Sequence, residues 1–447
     1  MNNDNSALVP THFENPLLSP YDTDPDDDTS SIEFRLTEDE DSDQDIKDSF
    51  IYDEGEVDSI TNEMYAQGMD MQGMVWNDTS NTREAYRRER MKDFVNYLSV
   101  QDQDHKSLVN KIESQPVKKV SKDETFYRFK HSKTNVRCTF GHFQLRNLLC
   151  APNKNHVYYI CDDAVRQWST HSRTSKEILN VNQADTPQSL AFTISSISCG
   201  HDMLVIGGAG GEYACRRIDD KDSKVYYGAT TSNTQTGIAN HIEIISTRTG
   251  VLQSIMSNND HRIRFMNLET LKFDTVLDFK FPINCSTSSP DKRLLCVVGD
   301  STESCIVDIS SGRVVMEMNE HHDYSFACAW HPDGRTVATG NQDKTTRIYD
   351  IRKSTEAIHV LGGMIGSIRS LHYSHDGKYL AAAEHIDFVH IYDTSTFETS
   401  QVVDMFGDIA GIGFTPEDNS IYIANAHEQH GGIFEFEKLQ DTYSPYL

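Results

Sequence analysis

The chain has 447 residues, with 68 acidic side chains against 41 basic ones and a formal net charge of -27. Residues 1–60 alone hold 19 Asp/Glu against Arg35 and Lys47, or -17, which leaves -10 for the other 387 residues. This balance excludes a broad phosphate-tracking face and electrostatic docking on anionic lipid, and length alone sets a prior of about three domains.

The acidic stretch comes first in the chain. Segments such as Asp24-Pro25-Asp26-Asp27-Asp28 cannot bury enough apolar surface to offset the entropy of ordering, so a disordered tail is expected over 1–60. Thr37 and Ser42, each with an acid three residues on, read either as kinase acceptors or as solubilising polar residues. No secretory signal pattern opens the chain, and no run approaches the ~20 apolar residues of a membrane helix. Nine scattered cysteines without C-x-x-C spacing read as buried thiols of a reducing compartment. A cytoplasmic and nuclear protein is the expectation.

Residues 61–125 form an arm of different character. Asn81 and Glu84 make a capping pair, and 83–98 read as one amphipathic helix. Its apolar face is Met91, Phe94, Val95 and Leu98, at i, i+3, i+4 and i+7, with Arg83, Arg87, Arg88, Arg90 and Lys92 on other faces. Trp76 stands just before it beside Met69, Met71 and Met74. Such a cluster needs cover. Two readings stand, a docking motif for a partner and an arm folded on its own body. The expected arrangement is an arm held on the body through Trp76 and the Met91/Phe94/Leu98 face.

An internal repeat fills residues 126–438. Tight polar turns at Pro290, Pro332, His375 and Pro416 are 42, 43 and 41 residues apart, each between two β-type apolar runs. A second landmark ends a later strand of each unit, at Trp168, Met266, Val307, Tyr349, Tyr392 and Phe434. The missing unit fits around Arg216 and Arg217, with 219–236 as a polar insertion, which makes seven units. A period near 42 with four short strands per unit is the pattern of a propeller blade. The last unit stops at its third strand, so a strand from 126–140 is expected to complete it and close the ring.

Tyr349-Asp350 and Tyr392-Asp393 stand where the Trp-Asp dipeptide of one repeat family falls, and residues 137–438 resemble a WD40 propeller. The resemblance implies an all-β, seven-bladed fold; the disordered acidic tail and the short helical arm precede it, and residues 439–447 follow as a C-terminal tail. It also implies a hydrogen-bonded tetrad at His321, Thr339, Asp343 and Tyr349, with Tyr in the place of Trp. Asp162 and Asp260 share the offset of Asp343. The runs 72–76, 81–87 and 142–148 together with this unit are similar to an uncharacterised WD-repeat family of fungi and plants.

No pattern announces catalysis. Gly207-Gly208-Ala209-Gly210-Gly211 has no following helix and reads as a blade turn; His427 and His430 sit in a loop without zinc-protease spacing. No enzyme activity, cofactor or metal is expected, and neither nucleic acid nor membrane. A monomeric scaffold for protein partners is the leading reading. Arg262, Tyr324, Lys344 and His385 are placed by repeat register on one loop face, and Trp76 is a further contact. The string 337–352 resembles the box by which some propellers dock on the cullin-4 ubiquitin-ligase adaptor, with Arg352 as the contact. A substrate receptor of that ligase is the alternative, and a propeller enzyme a third class.

Overall fold

The computed structural model describes residues 58–74, 76, 82–100, 104–183, 191–219, 223–353 and 356–439. The acidic tail up to residue 57, with Thr37 and Ser42, lies outside these residues, as do Asn81 and 440–447.

The described strands form seven four-stranded antiparallel blades. Blades 1 to 5 span residues 149–180, 194–229, 239–278, 283–318 and 325–362. Blades 6 and 7 share one uninterrupted strand, Ser400–Phe414, which is the fourth strand of blade 6 and the first of blade 7. Gly407, at φ 101°, lies where pairing passes from one blade to the next. A Cβ there would meet that of His427 at 2.6 Å, so glycine is required both for the turn and for the close approach. The first strands of successive blades neighbour one another, and that of blade 7 meets that of blade 1, so the ring closes. Six of the seven blades carry a register shift at the same place between first and second strands, which adds local twist.

The polar turns of the repeat are the first-to-second strand turns. Their fourth residues, Lys292, Gly334, Gly377 and Asp418, are all left-handed. The strand that completes blade 7 is Tyr127–Lys133, paired antiparallel with Gly432–Lys438. Two landmarks shift. The partner of Ile421, and so the equivalent of Tyr349, is Phe436 rather than Phe434, because the last blade has a longer turn at 426–431. The stretch 219–236 is not all insertion, since Tyr226–Ala229 is the fourth strand of blade 2.

The arm is ordered on the propeller. Strand β1 (Ser59–Thr61) adds a fifth strand to blade 7 by pairing with residues 131–133. Helix α1 (Asn62–Ala66) follows, and the Tyr65 ring lies 4.9 Å from that of Phe129. Helix α2 runs over Arg83–Asp93 and not to residue 98: it is capped by Thr82, and Phe94 leaves the helix with ψ 126°. Helix α3 (His105–Ser114) buries Leu108 and Ile112. The chain then returns along blades 5 and 6, through Lys118 N–H to Val360 O and bridges at Ser121–Thr399 and Asp123–Gln401. It enters Tyr127–Lys133 directly after. Among the described residues no helix is long and apolar enough to cross a membrane.

Candidate interaction surface

Turns between second and third strands and the loops entering each blade share one face, called the upper face here. In blade 5 these two segments are tied by a buried polar network. His321 Nε2 lies 2.8 Å from Thr339 Oγ1, and its Nδ1 lies 3.0 Å from Asp343 Oδ2. Asp343 also accepts the His322 and Thr345 N–H groups and the Thr345 hydroxyl. Tyr349 is fully buried, but its hydroxyl finds no hydrogen-bond partner, so the tetrad closes as a triad. Asp260 pairs instead with Arg264 at 2.5 Å, and Asp162 is exposed. Blade 6 has Ile386 at the position of Asp343, and there Glu384 takes over. It accepts three loop N–H groups, from Met364, Ile365 and Gly366, and lies 2.8 Å from His390 Nε2.

Burial raises the Asp343 carboxyl, but the His321 imidazole and the donors around it outweigh burial and hold it at about 2. Its folded value is thus depressed below the ordinary 3.8. The stability it supplies is complete above that value and is lost as pH falls through the folded one. Urea denaturation should show Asp343→Asn well below the parent chain at neutral pH, with the gap narrowing from about pH 4 towards 2. A gap independent of pH would disprove the coupling.

The arm crosses this face over blades 5 to 7. Gln72 is buried and imitates strand pairing: its Nε2 donates to the Phe406 and His430 carbonyls and its Oε1 accepts the Phe406 N–H. Trp76 is half-buried, donates to Asp70 Oδ2 at 2.9 Å, and packs its ring on Tyr86 and Phe406. The arginines of α2 then carry the contact. Arg87 is the buried residue of that helix; it pairs with Asp387 at 2.5 Å and Asp404 at 2.6 Å and lies over the rings of Phe388 and Phe406. Arg90 reaches the same Asp387 oxygen at 2.7 Å, and Arg83 bridges Asp70 and Asp404. Met91 and Phe94 pack on Ile365, Ile386 and Phe388. Val95, expected on the buried face, is 83% exposed because the helix has already ended.

Beyond α2, Asn96 donates to the Gln342 carbonyl, and Ser99 and Val100 N–H both donate to Asp323. Asp323 is raised to about 6 by burial, partly offset by these N–H groups. Gln115 reaches the Asp343 carbonyl and Arg347. The structure thus brings the arm onto the very turns that a partner was expected to use. His385 is a correction to the open-face expectation: Phe94 lies 5.7 Å from its ring, and Ser367 occupies its Nδ1. Tyr324 and Lys344 are half-buried at the edge of the arm. Arg262 is exposed on blade 3, paired with Asp278 at 2.8 Å. Arg352 projects from the opposite, lower face, 52% exposed and held by both oxygens of Asp350.

Apolar spacing alone does not reveal the arginine contact. The available signal was the i, i+4, i+7 spacing of Arg83, Arg87 and Arg90 facing a strongly acidic body. Among the described residues no group of three His, Cys, Asp or Glu is placed to hold a metal ion.

Seven closed blades define a seven-bladed β-propeller, and blade 5 holds a His–Thr–Asp network. The family described as "WD40: WD domain, G-beta repeat" matches residues 312–350, from the fourth strand of blade 4 through the third strand of blade 5, a stretch that includes the network. The chain is similar to "Uncharacterized protein C4G3.03" of Schizosaccharomyces pombe, 25% identical over 323 residues that cover 65% of this chain and 87% of that protein. It is also similar to "DDB1- and CUL4-associated factor 10" of Xenopus tropicalis, 25% identical over 30% of this chain and 28% of that protein. A chain of the "Crystal Structure of Mitotic Checkpoint Complex" shares the fold, with TM-score 0.57 and 17% identity over 73% of this chain and 97% of that one.

Proposed function

We propose that this propeller is a non-catalytic, monomeric scaffold of the cytoplasm and nucleus that binds protein partners on the part of its upper face outside the arm. The observation that supports this reading is the arm itself. It takes up the turns of blades 5 and 6 with its own hydrogen bonds and ion pairs, whereas His261, Arg262, Lys280 and Glu303 on blades 3 and 4 stay exposed. The chain's net charge of -27 speaks against nucleic acid as the partner. Capture of partners from a cell extract on the full chain tests this, with Arg262→Glu/Lys280→Glu as the comparison. Loss of the captured set in that variant supports the reading; an unchanged set overturns it.

A second reading rests on Arg352. Its exposure on the lower face, together with the similarity to a CUL4-associated factor, supports docking on a cullin-4 ligase adaptor. Recovery of that adaptor, lost with Arg352→Ala, would replace the first reading.

A further inference from the structure

The lower mouth of the central channel opens into a cavity of about 360 Å³ between blades 3 and 6. His241, Glu243, Lys292, Trp330, Cys285 and Cys328 are on its wall. Cys285 lies on the first strand of blade 4, Ile283–Ser288, and Cys328 on the first strand of blade 5, Ser325–Trp330. Their sulfurs face each other across the blade boundary at 3.7 Å. Cys328 Sγ is also 3.5 Å from Thr287 Oγ1 and 3.7 Å from the Cys296 carbonyl.

We propose that Cys285 and Cys328 are an oxidisable dithiol, which a peroxide entering the channel cavity closes into a disulfide between blades 4 and 5. Two independent features carry this. The thiols are in contact, so closure needs a movement of less than 2 Å to reach the bond length of about 2.05 Å. Both are buried in the apolar core between blades 4 and 5, yet each also borders the channel cavity, which is large enough for a small oxidant. Protonation within the pair is unequal. Burial raises the Cys328 thiol, but the groups of Cys285, Cys296 and Thr287 outweigh it and set Cys328 below the ordinary range, while burial holds Cys285 well above. The Thr287 hydroxyl, 3.5 Å away, can donate to the Cys328 sulfur, which marks Cys328 as the attacking one of the pair. His241 stands on the same wall, kept neutral by burial.

The chemistry balances in two steps. The Cys328 sulfur takes one peroxide oxygen, the O–O bond breaks, and water leaves a sulfenic acid. The Cys285 sulfur then displaces the hydroxyl as a second water while the S–S bond forms. Two thiols and one hydrogen peroxide give one disulfide and two waters.

The test treats the folded full chain with hydrogen peroxide, alkylates it under denaturing conditions and maps it by mass spectrometry. The expected result is a peptide pair joined through Cys285 and Cys328, with two of the nine thiols lost. Cys285→Ser should leave Cys328 as a sulfenic acid that dimedone traps. Cys150 and Cys199, which also interact between two blades, are the internal comparison. If they or another pair join first while Cys285 and Cys328 still alkylate fully, the proposal is wrong. It is equally wrong if no thiol of the folded chain reacts.

Discussion

Replacing Asp387 with alanine is expected to lower the stability of the whole chain by about 3–5 kcal/mol, the range for removing one partner of a buried ion pair. Asp387 is fully buried at the start of the third strand of blade 6, Ile386–Asp393. One of its oxygens receives Arg87 and Arg90, and the other accepts the Gly407 N–H at 2.8 Å. Alanine would leave both guanidinium groups short of charge and the Gly407 amide without its acceptor. Alanine also tolerates the φ of 66° less well than aspartate, so part of the loss is backbone strain. Asp387→Asn separates the two effects, since asparagine accepts that conformation and removes only the charge. Urea denaturation measures the loss, and hydrogen exchange across α2 shows where it falls. Loss below about 1 kcal/mol, the range of an exposed pair, would mean that the arm is a loose appendage.

A chain begun at Thr134 is expected to be insoluble. It lacks Tyr127 and Phe129, both buried, each contributing about 1.5–3 kcal/mol of apolar burial. Tyr127 sits 5.6 Å from the Tyr379 ring and 5.8 Å from Phe414, while Phe129 sits 5.7 Å from Phe436. Gln401 also loses its bonds to the N–H and C=O of Tyr127. The deficit is of the order of the 5–15 kcal/mol that a domain has in total. It also exposes the whole edge of Gly432–Lys438 to pairing with other chains. Expression followed by sedimentation gives the answer. A soluble, cooperatively melting fragment would show that six complete blades hold the seventh.

The seven-blade ring was legible because turn spacing and strand patterning are local properties repeated along the chain. Lys292, Gly334, Gly377 and Asp418 mark the same left-handed position in four blades. The network in blade 5 was legible for the same reason, since its residues lie within 22 positions of one another. What sequence reading lost was distant or inverted. Asp387 is 300 positions from Arg87, and no periodicity links them. The helix ends five residues before the apolar spacing of Val95 and Leu98 does, because at Phe94 the chain turns extended to reach Gln342 and Asp323. His385 sat in the expected register, but register says nothing of what another segment lays over it.

The closing strand has a cost in time. Lys130 and Glu435, which form an ion pair across the seam, are 305 residues apart. At about 5–20 residues per second a ribosome takes roughly 15–60 s to cover that distance. Throughout that interval Tyr127 and Phe129 lack the strand they pair with, and for most of it the arginines of α2 have no Asp387 or Asp404. Blades 1 to 5 can assemble behind them while the arm waits. A nascent chain of this kind is open to capture at its N-terminal end until its last blade emerges, and the order of synthesis is the reverse of the order in which the seam needs its parts.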